Sequence, residues 1–290
     1  MASSTARPDV TGFYHEKTGS IVYLASDPAS GRAIIVDPVL DFDERSGRIS
    51  TAAADQILDA VNARGLKVDW ILDTHPHADH FSAAAYLKDK LGAPTAIGEK
   101  VIEVQKLWRD IYNIADFPVD GQQWDRLFAD GDTFSVGTIP VRVMHSPGHT
   151  LASITYVMGD AAFIHDTLFQ PDTGSARADF PGGSAETLYR SIMAILALPD
   201  ATRLFTGHDY KEGGRPAQWE STVAGQKRSN KHFKSRPSCE EYAKIRRDRD
   251  KTLPMPKLIL HALQVNLRGG RLPPPENNGR SYLKFPVDVL

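Results

Sequence analysis

Apolar and polar residues alternate in short blocks through the first third of the chain. Residues 20–24 and 33–36 are apolar runs separated by an Asp-Pro and a Ser-Gly pair, a pattern that predicts two paired strands joined by a turn. From Thr51 to Ala63 the apolar positions recur with helical spacing, which predicts an amphipathic helix. The apolar face of this helix consists of Ala54, Ile57, Leu58 and Val61.

Further apolar blocks predict that strands and helices alternate through the rest of the chain. Short apolar blocks predict strands at 70–72, 141–144, 153–157, 161–164 and 203–206. Blocks with helical spacing predict helices at 83–87, at 184–198 with Ser184 as its N-cap, and at 216–229 with Pro216 in the first turn.

The pattern changes near residue 236. A highly charged helix is predicted at 240–251, and proline-rich sequence that includes the run 273–275 follows it. We therefore interpret residues 10–235 as the main, catalytic domain and residues 236–290 as a C-terminal extension packed on the same domain.

Composition narrows the class of protein. The chain has 290 residues with a net charge of -2, so its charge favours neither nucleic acid nor a membrane surface as a partner. No apolar stretch approaches the ~20 residues of a membrane span, and the first residues lack the apolar core of a secretory signal. Cys239 is the only cysteine, which excludes internal disulfides and favours a cytoplasmic location.

The segment 74–80, Thr-His-Pro-His-Ala-Asp-His, places three imidazoles and a carboxylate within seven residues. Histidine and aspartate together, without cysteine, are typical ligands for zinc or iron. The segment follows the strand predicted at 70–72 and precedes the helix predicted at 83–87, so the candidate ligands lie in a loop at the carboxyl end of a strand. In α/β proteins this is where binding and catalytic residues concentrate.

Three other predicted strands also end in candidate metal ligands. The strand at 141–144 leads to Ser-Pro-Gly-His-Thr with His149, and the strand at 161–164 leads to His165 and Asp166. The strand at 203–206 leads to Gly-His-Asp-Tyr, which contains His208 and Asp209. If these strands lie side by side, their ends converge, and Gly148 and Gly207 allow the tight backbone that such convergence needs. The pattern therefore predicts a metal site.

These four motifs, in this order, resemble those of the metallo-β-lactamase superfamily. The resemblance covers roughly residues 10–235 and implies an α/β fold, an αββα sandwich of two packed mixed sheets flanked by helices, with the metal at one edge of the sheets. Because the superfamily contains several chemistries, the fold alone does not determine the reaction.

Finer sequence features resemble the bacterial persulfide dioxygenases. They are Val-Leu-Asp-Phe-Asp at 39–43, the segment 173–183 with Thr-Gly-Ser-Ala-Arg-Ala-Asp-Phe-Pro-Gly-Gly, and Leu-Pro-Pro-Pro-Glu-Asn-Asn-Gly at 272–279. The resemblance implies an enzyme that oxidises glutathione persulfide, with O2 and water, to glutathione and sulfite. It also implies one Fe(II) per chain and a homodimer.

Carried over to this chain, the iron ligands are His75, His149 and Asp166. Two histidines and one carboxylate leave open positions on the metal, as non-haem iron oxygenases require. The resemblance implies that the other polar residues near the site orient these ligands through hydrogen bonds. They are His77, Asp79, His80, His208 and Asp209. Spacing alone leaves open the alternative that His77, Asp79, His80 and His208 bind a second metal, as in the hydrolase branches.

Substrate contacts are predicted at three further positions. Glutathione carries two carboxylates, so a guanidinium near the metal is expected, and Arg177 matches an arginine of the family motif. An ion pair with Asp179 is the alternative role for Arg177. Tyr210 is expected to line the pocket, and Thr150 to form a hydrogen bond near His149. Lys227 and Arg228 lie where related thioester hydrolases carry basic residues, although they could equally form a solvated helix face.

Three residues depart from the pattern of the family. His165 occupies a position where glycine is usual, and its side chain could crowd the metal, add a hydrogen bond or point away. Ala178 replaces a cysteine that bacterial relatives often have, and Pro76 removes an amide donor from the ligand loop.

Two other functions fit parts of the sequence. A zinc hydrolase of the glyoxalase II kind would cleave a glutathione thioester with a metal-activated hydroxide and would use both metal sites. A metal-binding or sensor protein without catalysis is the second alternative. Nucleic-acid processing also occurs in this superfamily, but the chain has no basic arm that would favour it.

Overall fold

The computed structural model describes residues 7–289, which form four layers in the order helix, sheet, sheet, helix. Each of the two central sheets has six strands and is mixed, and helices cover the outer face of both. A small three-stranded sheet lies beside them. This architecture confirms the α/β sandwich of two packed mixed sheets that the sequence predicted.

The first sheet is built from the N-terminal half of the chain, and parallel pairing brings the carboxyl ends of β3, β6 and β8 to one edge. Its strand order is β1-β2-β3-β6-β8-β9. The strands are β1 (Asp9–His15), β2 (Ser20–Ser26), β3 (Arg32–Val36), β6 (Lys67–Leu72), β8 (Thr95–Gly98) and β9 (Arg126–Phe128).

The second sheet continues along the chain in simple sequence order from β10 to β15, and all neighbouring strands are antiparallel except β13 and β14, which are parallel. Its strands are β10 (Thr133–Val136), β11 (Ile139–His145), β12 (Ile154–Met158), β13 (Ala161–His165), β14 (Arg203–Thr206) and β15 (Glu220–Thr222). The small sheet consists of β4 (Val39–Asp43), β5 (Arg48–Ser50) and β7 (Phe81–Ser82).

Seven helices cover the sheets in the part of the chain that the structure describes. They are α1 (Ala52–Ala63), α2 (Ala84–Leu91), α3 (Val101–Tyr112), α4 (Ala185–Leu196), α5 (Val223–Ser229), α6 (Cys239–Asp250) and α7 (Ile259–Asn266). None of these helices combines the length and the apolar character that a bilayer-spanning segment needs.

The main core fills the space between the two sheets. Because side chains alternate along a strand, every second residue of the central strands points into this layer. Tyr23 of the first sheet packs there against Phe163 and Phe205 of the second, with ring centroids 5.4 Å apart in both pairs. These rings hold the two sheets together directly behind the edge at which the polar strand ends meet.

Most predicted elements are present, but the prediction of a helix at 216–229 is wrong for the first half of that range. Residues Glu220–Thr222 instead form β15, which pairs with the edge strand β14. The helix starts only after Thr222, whose hydroxyl accepts a hydrogen bond from the amide of Gly225 as an N-cap. The open edge of β14 therefore recruits residues whose local pattern is also compatible with a helix.

Helix α7, which the sequence pattern did not predict, lies against the ligand loop through Asn266. The buried side chain of Asn266 accepts a hydrogen bond from the amide of Ser82 at 2.7 Å. Its amide group donates to the carbonyl oxygens of His77 and His80, also at 2.7 Å. The segment after residue 236 therefore supports the histidine-rich loop directly.

Replacing Asn266 with Ala is expected to destabilise the protein by about 1–3 kcal/mol, since it leaves three buried backbone groups without partners. Urea unfolding of N266A measures this loss, and N278A serves as the control because Asn278 is exposed. Equal free energies of unfolding for the two variants would contradict the proposed support.

Candidate metal centre

The polar residues that follow four strands meet at one edge of the sandwich, between the two sheets. The loop after β6 carries His75, and the loop after β11 carries His149. Asp166 directly follows β13, and His208 follows β14 after a single glycine. All four side chains are buried, so their polar atoms need partners within the protein or a bound ion.

Two glycines make this convergence possible, because neither position has room for a Cβ. Gly148 has a φ of +129°, a conformation that a residue with a Cβ rarely adopts, and a Cβ at this position would also clash with the backbone of Leu188. Gly207 is needed for space, since a Cβ at this position would lie 2.5 Å from Oδ1 of Asp166. Only glycine at 207 lets the strand end approach the carboxylate so closely.

His75, His149 and Asp166 form a compact three-residue cluster. One potential ligand atom from each lies within 4.8 Å of the others. Nε2 of His149 is 3.5 Å from Oδ2 of Asp166, and the rings of His75 and His149 face each other edge-on at 5.2 Å. The structure therefore brings together the two imidazoles and the carboxylate that the family resemblance implied as iron ligands.

The hydrogen bonds of the two histidines leave the inward-facing nitrogens available. Nδ1 of His75 bonds to the hydroxyl of Thr74 at 3.0 Å, whereas its Nε2 is buried without any partner. Nδ1 of His149 donates to the carbonyl oxygen of Arg177 at 2.8 Å, which leaves Nε2 facing Asp166. An unpartnered buried nitrogen beside a carboxylate is the arrangement that a divalent metal would complete, so the residues fit a metal ion.

Asp37, which the sequence analysis missed, lies beneath the ligand loop. It follows β3, and its carboxylate accepts hydrogen bonds from the amide and the hydroxyl of Thr74 at 2.7 and 2.8 Å and contacts Nε2 of His77 at 3.0 Å. Through Thr74 it orients His75, and it directly orients His77. The available signal was an aspartate after another strand, in Ile-Ile-Val-Asp-Pro.

The pairing with Asp37 determines the charge of His77. Burial alone would lower the pKa of His77, but the carboxylate of Asp37 outweighs it and raises that pKa to about 9. Nδ1 of His77 is buried without a hydrogen-bond partner. The ring centroids of His77 lie 4.2 Å from those of both His75 and His80.

Asp79 is the centre of a second hydrogen-bonded group. Its Oδ2 accepts from the hydroxyl of Ser20 at 2.8 Å and lies 2.9 Å from Nδ1 of His80 and 2.8 Å from Nε2 of His208. His208 also reaches Oδ1 of Asp166 through Nδ1 at 2.6 Å. Both ring nitrogens of His208 are therefore engaged by carboxylates.

Neighbouring charges outweigh burial in setting the pKa values of His208 and Asp166. Burial lowers the pKa of His208, but Asp166 and Asp79 on either side raise it well above its usual range. Burial raises the pKa of Asp166, but His208 and then His149 reverse this and bring that pKa to about 2. The carboxylate of Asp166 is therefore ionised, as a metal ligand must be.

His165 neither points away from the site nor joins the three-residue cluster. Its Nε2 lies 3.0 Å from both the Ser146 and the Thr167 hydroxyls, and burial lowers the pKa of His165 to about 3, so the ring is neutral. Its φ of +41° is the left-handed conformation that explains why glycine suits this position. The imidazole packs 5.3 Å from the ring of His75.

Arg177 is held by the protein itself. Its guanidinium donates two hydrogen bonds to Asp179, at 2.7 and 2.8 Å, and a third to the carbonyl oxygen of Pro254. It also stacks over the ring of Phe180. The side chain therefore stiffens the loop whose backbone carbonyl, at Arg177 itself, orients His149, although it still lines the cavity beside the cluster.

The other predicted residues have varied surroundings. Tyr210 stacks on His208 with ring centroids 5.8 Å apart and lines the cavity. The hydroxyl of Thr150 bonds to that of Ser153 at 2.7 Å.

Asp209 is fully buried and forms two hydrogen bonds with Arg215, so it anchors its own loop. Lys227 pairs with Asp200, outside the residues that line the cavity.

A cavity of about 1030 Å³ opens onto the cluster. Its walls combine residues of the metal cluster with apolar side chains, among them Phe42, Phe169 and Met255. Two exposed cations, Lys231 and Arg249, also line it, and in the part of the chain that the structure describes neither has a carboxylate within 4.0 Å. This volume is sufficient for a ligand the size of a tripeptide derivative.

An αββα sandwich with histidine and aspartate ligands at one edge of its sheets defines a class of metal-binding proteins. The profile of the metallo-beta-lactamase superfamily matches residues 18–208 of this chain. The chain therefore belongs to the metallo-β-lactamase superfamily.

Relatives within the superfamily carry several names. A beta-lactamase hydrolase-like protein from Agrobacterium fabrum is 64% identical and covers 99% of this chain, but the chain spans only 66% of that relative. Glyoxylase B2 from Dictyostelium discoideum is 43% identical over 99% of both chains. The mitochondrial persulfide dioxygenase ETHE1 from Bos taurus is 30% identical over 90% of this chain and 89% of its own.

The fold also resembles a solved structure of a related protein. The crystal structure of ETHE1 from Myxococcus xanthus superposes with a TM-score of 0.73 at 28% identity. The match covers 91% of this chain and 100% of that chain. The likeness therefore extends beyond residues 18–208 and includes part of the C-terminal segment.

Replacing Asp37 with Asn is expected to weaken metal binding about 10- to 100-fold. A neutral amide cannot accept all the hydrogen bonds that the Asp37 carboxylate accepts from Thr74 and His77. Competition with a chelator of known affinity measures the change. Asp27→Asn is the matched control, since Asp27 is also buried and hydrogen-bonded in a turn but lies outside the site. Unchanged affinity in D37N would show that Asp37 does not orient the ligands.

Proposed function

We propose that this protein is a glutathione-dependent persulfide dioxygenase that holds one Fe(II) per chain with His75, His149 and Asp166. It would oxidise glutathione persulfide with O2 and water to glutathione and sulfite. When bound, the iron would supply the electrons that make oxygen reactive toward the outer sulfur of the persulfide. All other contributions come from residues of the chain.

The observation that carries the proposal is that His208 and Asp79, which a second metal would have to recruit, are bonded to other residues. Nε2 of His75 is buried without a partner and is available to an ion. His208 instead contacts carboxylates through both ring nitrogens, and Asp79 is shared by Ser20, His80 and His208, whereas Nδ1 of His77 and Nε2 of His80 are buried without partners. A single metal in the three-residue cluster, with the group around Asp79 orienting its ligands, fits these hydrogen bonds without rearrangement.

The cavity supports a substrate with carboxylates distant from its reactive sulfur. Lys231 and Arg249 lack acidic partners, so they remain available to bind the two carboxylates of glutathione. These residues replace Lys227 and Arg228 as our candidates for this role, because neither of those lines the cavity. Apolar walls near the metal cluster would exclude water from the persulfide and so favour oxidation over side reactions.

The comparisons support the same proposal at a coarser level. ETHE1 of Bos taurus is named as a persulfide dioxygenase, and the chain aligns with almost its full length. The structural likeness to ETHE1 of Myxococcus xanthus points in the same direction.

A glutathione-thioester hydrolase with two metal ions is the second candidate. Atoms of His77, Asp79 and His80 also lie within 4.8 Å of one another, and Nδ1 of His77 and Nε2 of His80 are buried without partners. A relative at 43% identity is named glyoxylase B2. In this reaction the two nitrogens would bind a second ion, and His208 would have to release its carboxylates.

Oxygen uptake by the iron-loaded protein on addition of glutathione persulfide, with sulfite measured in the same sample, tests the proposal. We expect uptake of one O2 for each sulfite formed, and about one iron per chain in the fully active protein. The zinc-loaded protein with lactoylglutathione is assayed in parallel. Thioester hydrolysis without oxygen uptake, at two metals per chain, would reject the dioxygenase in favour of the hydrolase.

Replacing Lys231 or Arg249 with Ala is expected to raise KM about 10-fold while kcat changes little, because each removes a charge-assisted contact to a remote carboxylate. Steady-state oxygen uptake measures both constants. K227A is the matched control, since Lys227 is an exposed lysine outside the cavity lining. A fall in kcat at constant KM would mean that these cations do not bind the substrate.

A further inference from the structure

A small network of hydrogen bonds supports one wall of the cavity. Its centre is Oγ of Ser175, which lies 2.9 Å from Nδ1 of His232 and 2.8 Å from the hydroxyl of Tyr242. Ser175 and Tyr242 are buried, and the ring of His232 lines the cavity. The network therefore joins the segment 173–183, whose sequence resembles the persulfide dioxygenases, to helix α6 of the C-terminal segment.

The backbone around His232 holds its imidazole in a fixed position. The amide of His232 donates to Oδ1 of Asn230 at 2.9 Å, and the side-chain amide of this buried asparagine donates to the carbonyl oxygen of Gly174 at 3.0 Å. Gly174 has a φ of +100°, and a Cβ at this position would lie 2.6 Å from Nδ1 of His232. Glycine is therefore needed for the ring to lie so close to the chain.

The hydroxyl of Tyr242 determines which nitrogen of His232 carries the hydrogen. In the part of the chain that the structure describes, the only acceptor within hydrogen-bond distance of this hydroxyl is Oγ of Ser175. Because Tyr242 is fully buried, its hydroxyl must donate to Ser175 to avoid an unsatisfied O–H. Ser175 then donates its own hydrogen to Nδ1 of His232, so the hydrogen of the neutral ring lies on Nε2.

Nε2 of His232 is available to a ligand. It forms no hydrogen bond with the residues that the structure describes and, unlike Nε2 of His75, it is not fully buried. Burial, followed by the charges of Arg246 and Lys231, lowers the pKa of His232 to about 4, so the ring is neutral at physiological pH. The wall of the cavity therefore presents a neutral N–H donor.

Cationic side chains lie near this donor. The charges of Arg246, Lys231 and Arg249 all act on the ring of His232, and all of these side chains line the same cavity. Arg246 is neutralised by its ion pair with Asp250, whereas Lys231 and Arg249 have no carboxylate within 4.0 Å among the described residues. An N–H donor beside unpaired cations suits a carboxylate, which accepts several charge-assisted hydrogen bonds at once.

We infer that His232 is a specificity-determining residue, whose Nε2–H donates a hydrogen bond to one of the two carboxylates of the substrate. Ser175 and Tyr242 are positioning residues, because they select the tautomer that carries this hydrogen. A neutral donor has a fixed direction, so it selects the position of the carboxylate, whereas the flexible cations beside it supply mainly charge. The inference rests on the proposed function only for the identity of the substrate as a glutathione derivative.

Two replacements of His232 separate the donor from its surroundings. Both disrupt the bond to Ser175, but H232Q keeps a side-chain N–H that can reach the position of Nε2, whereas H232F has none. We expect H232F to raise KM for glutathione persulfide about 10-fold with little change in kcat or iron content, and H232Q to stay within about threefold of the wild type. Equal losses in both variants would mean that packing matters and the donor does not, which overturns the inference.

Calorimetric titration of glutathione into the zinc-substituted protein measures the same contact without turnover. H232F should bind glutathione about 10-fold more weakly than the wild type. The titration is repeated with the glycyl ethyl ester of glutathione and with γ-aminobutyryl-cysteinylglycine, which lacks the γ-glutamyl carboxylate. The difference between H232F and the wild type should disappear with one of these analogues and persist with the other, which identifies the carboxylate. A difference that persists with both analogues, or is absent with glutathione, overturns the inference.

H261F is the matched control for these measurements. His261 lies outside the cavity lining and packs between Phe42 and Phe285, and its Nδ1 has no hydrogen-bond partner. H261F should therefore bind glutathione as the wild type does. If H261F loses as much affinity as H232F, the effect is not specific to the donor, and the inference is rejected.

The tautomer of His232 can be observed directly. In ¹⁵N-histidine-labelled protein at neutral pH, the hydrogen of the His232 ring should lie on Nε2, and H232Q assigns the signals. Y242F removes the hydroxyl that fixes the direction of the Ser175 bond, so both tautomers should then be populated. A wild-type ring with its hydrogen on Nδ1 would overturn the inference.

Failure of the proposed function can be distinguished from failure of this inference. If the iron-loaded wild type takes up no oxygen but binds glutathione with the expected dependence on His232, the dioxygenase is rejected and the donor role stands, since a glutathione thioester carries the same carboxylates. If the wild type takes up oxygen and H232F has the same KM and affinity, only the inference is rejected. A wild type that binds no glutathione rejects both.

Discussion

Buried imidazoles and carboxylates can be tolerated at the edge of this sandwich only because they are paired with one another. Asp37 pairs with His77, and Asp79 and Asp166 enclose His208. An isolated charge in such a place would be costly, and each pair therefore depends on its partner remaining in position. The apolar layer between the sheets supplies the rigid frame that keeps these partners within hydrogen-bond distance.

The C-terminal segment contributes to the site by holding its backbone. Arg246 and Asp250 of α6 form a buried ion pair, in which Arg246 donates to the carbonyl oxygen of Ser175 and Asp250 accepts from the amide of Ala178. The loop fixed in this way presents the carbonyl of Arg177 to His149. Elements far from the metal motifs in sequence therefore determine how one candidate ligand is oriented.

The two candidate reactions differ in what they require of the hydrogen-bonded group around Asp79. A mononuclear oxygenase needs its members bonded to one another, as they are here, whereas a binuclear hydrolase needs His208 and Asp79 to exchange those bonds for a metal. The same residue types serve both purposes, so membership in the superfamily leaves the reaction open. The local hydrogen bonds of His208 are the feature on which our proposal of a dioxygenase rests, since Lys231 and Arg249 would bind the carboxylates of glutathione in either reaction.

Local apolar blocks and the polar residues at their ends were sufficient to predict most strands and a metal site where four of them end. The αββα fold and the choice of His75, His149 and Asp166 as candidate ligands came from the resemblance of these motifs to known families. The sequence did not determine β15, α7 or the roles of Asp37 and Arg177. β15 depends on the open edge of β14, and Asp37 gains its role only because β3 and β6 are neighbours. Pairing across a sheet is a long-range interaction, so it outweighs local preference and becomes known only in the tertiary structure.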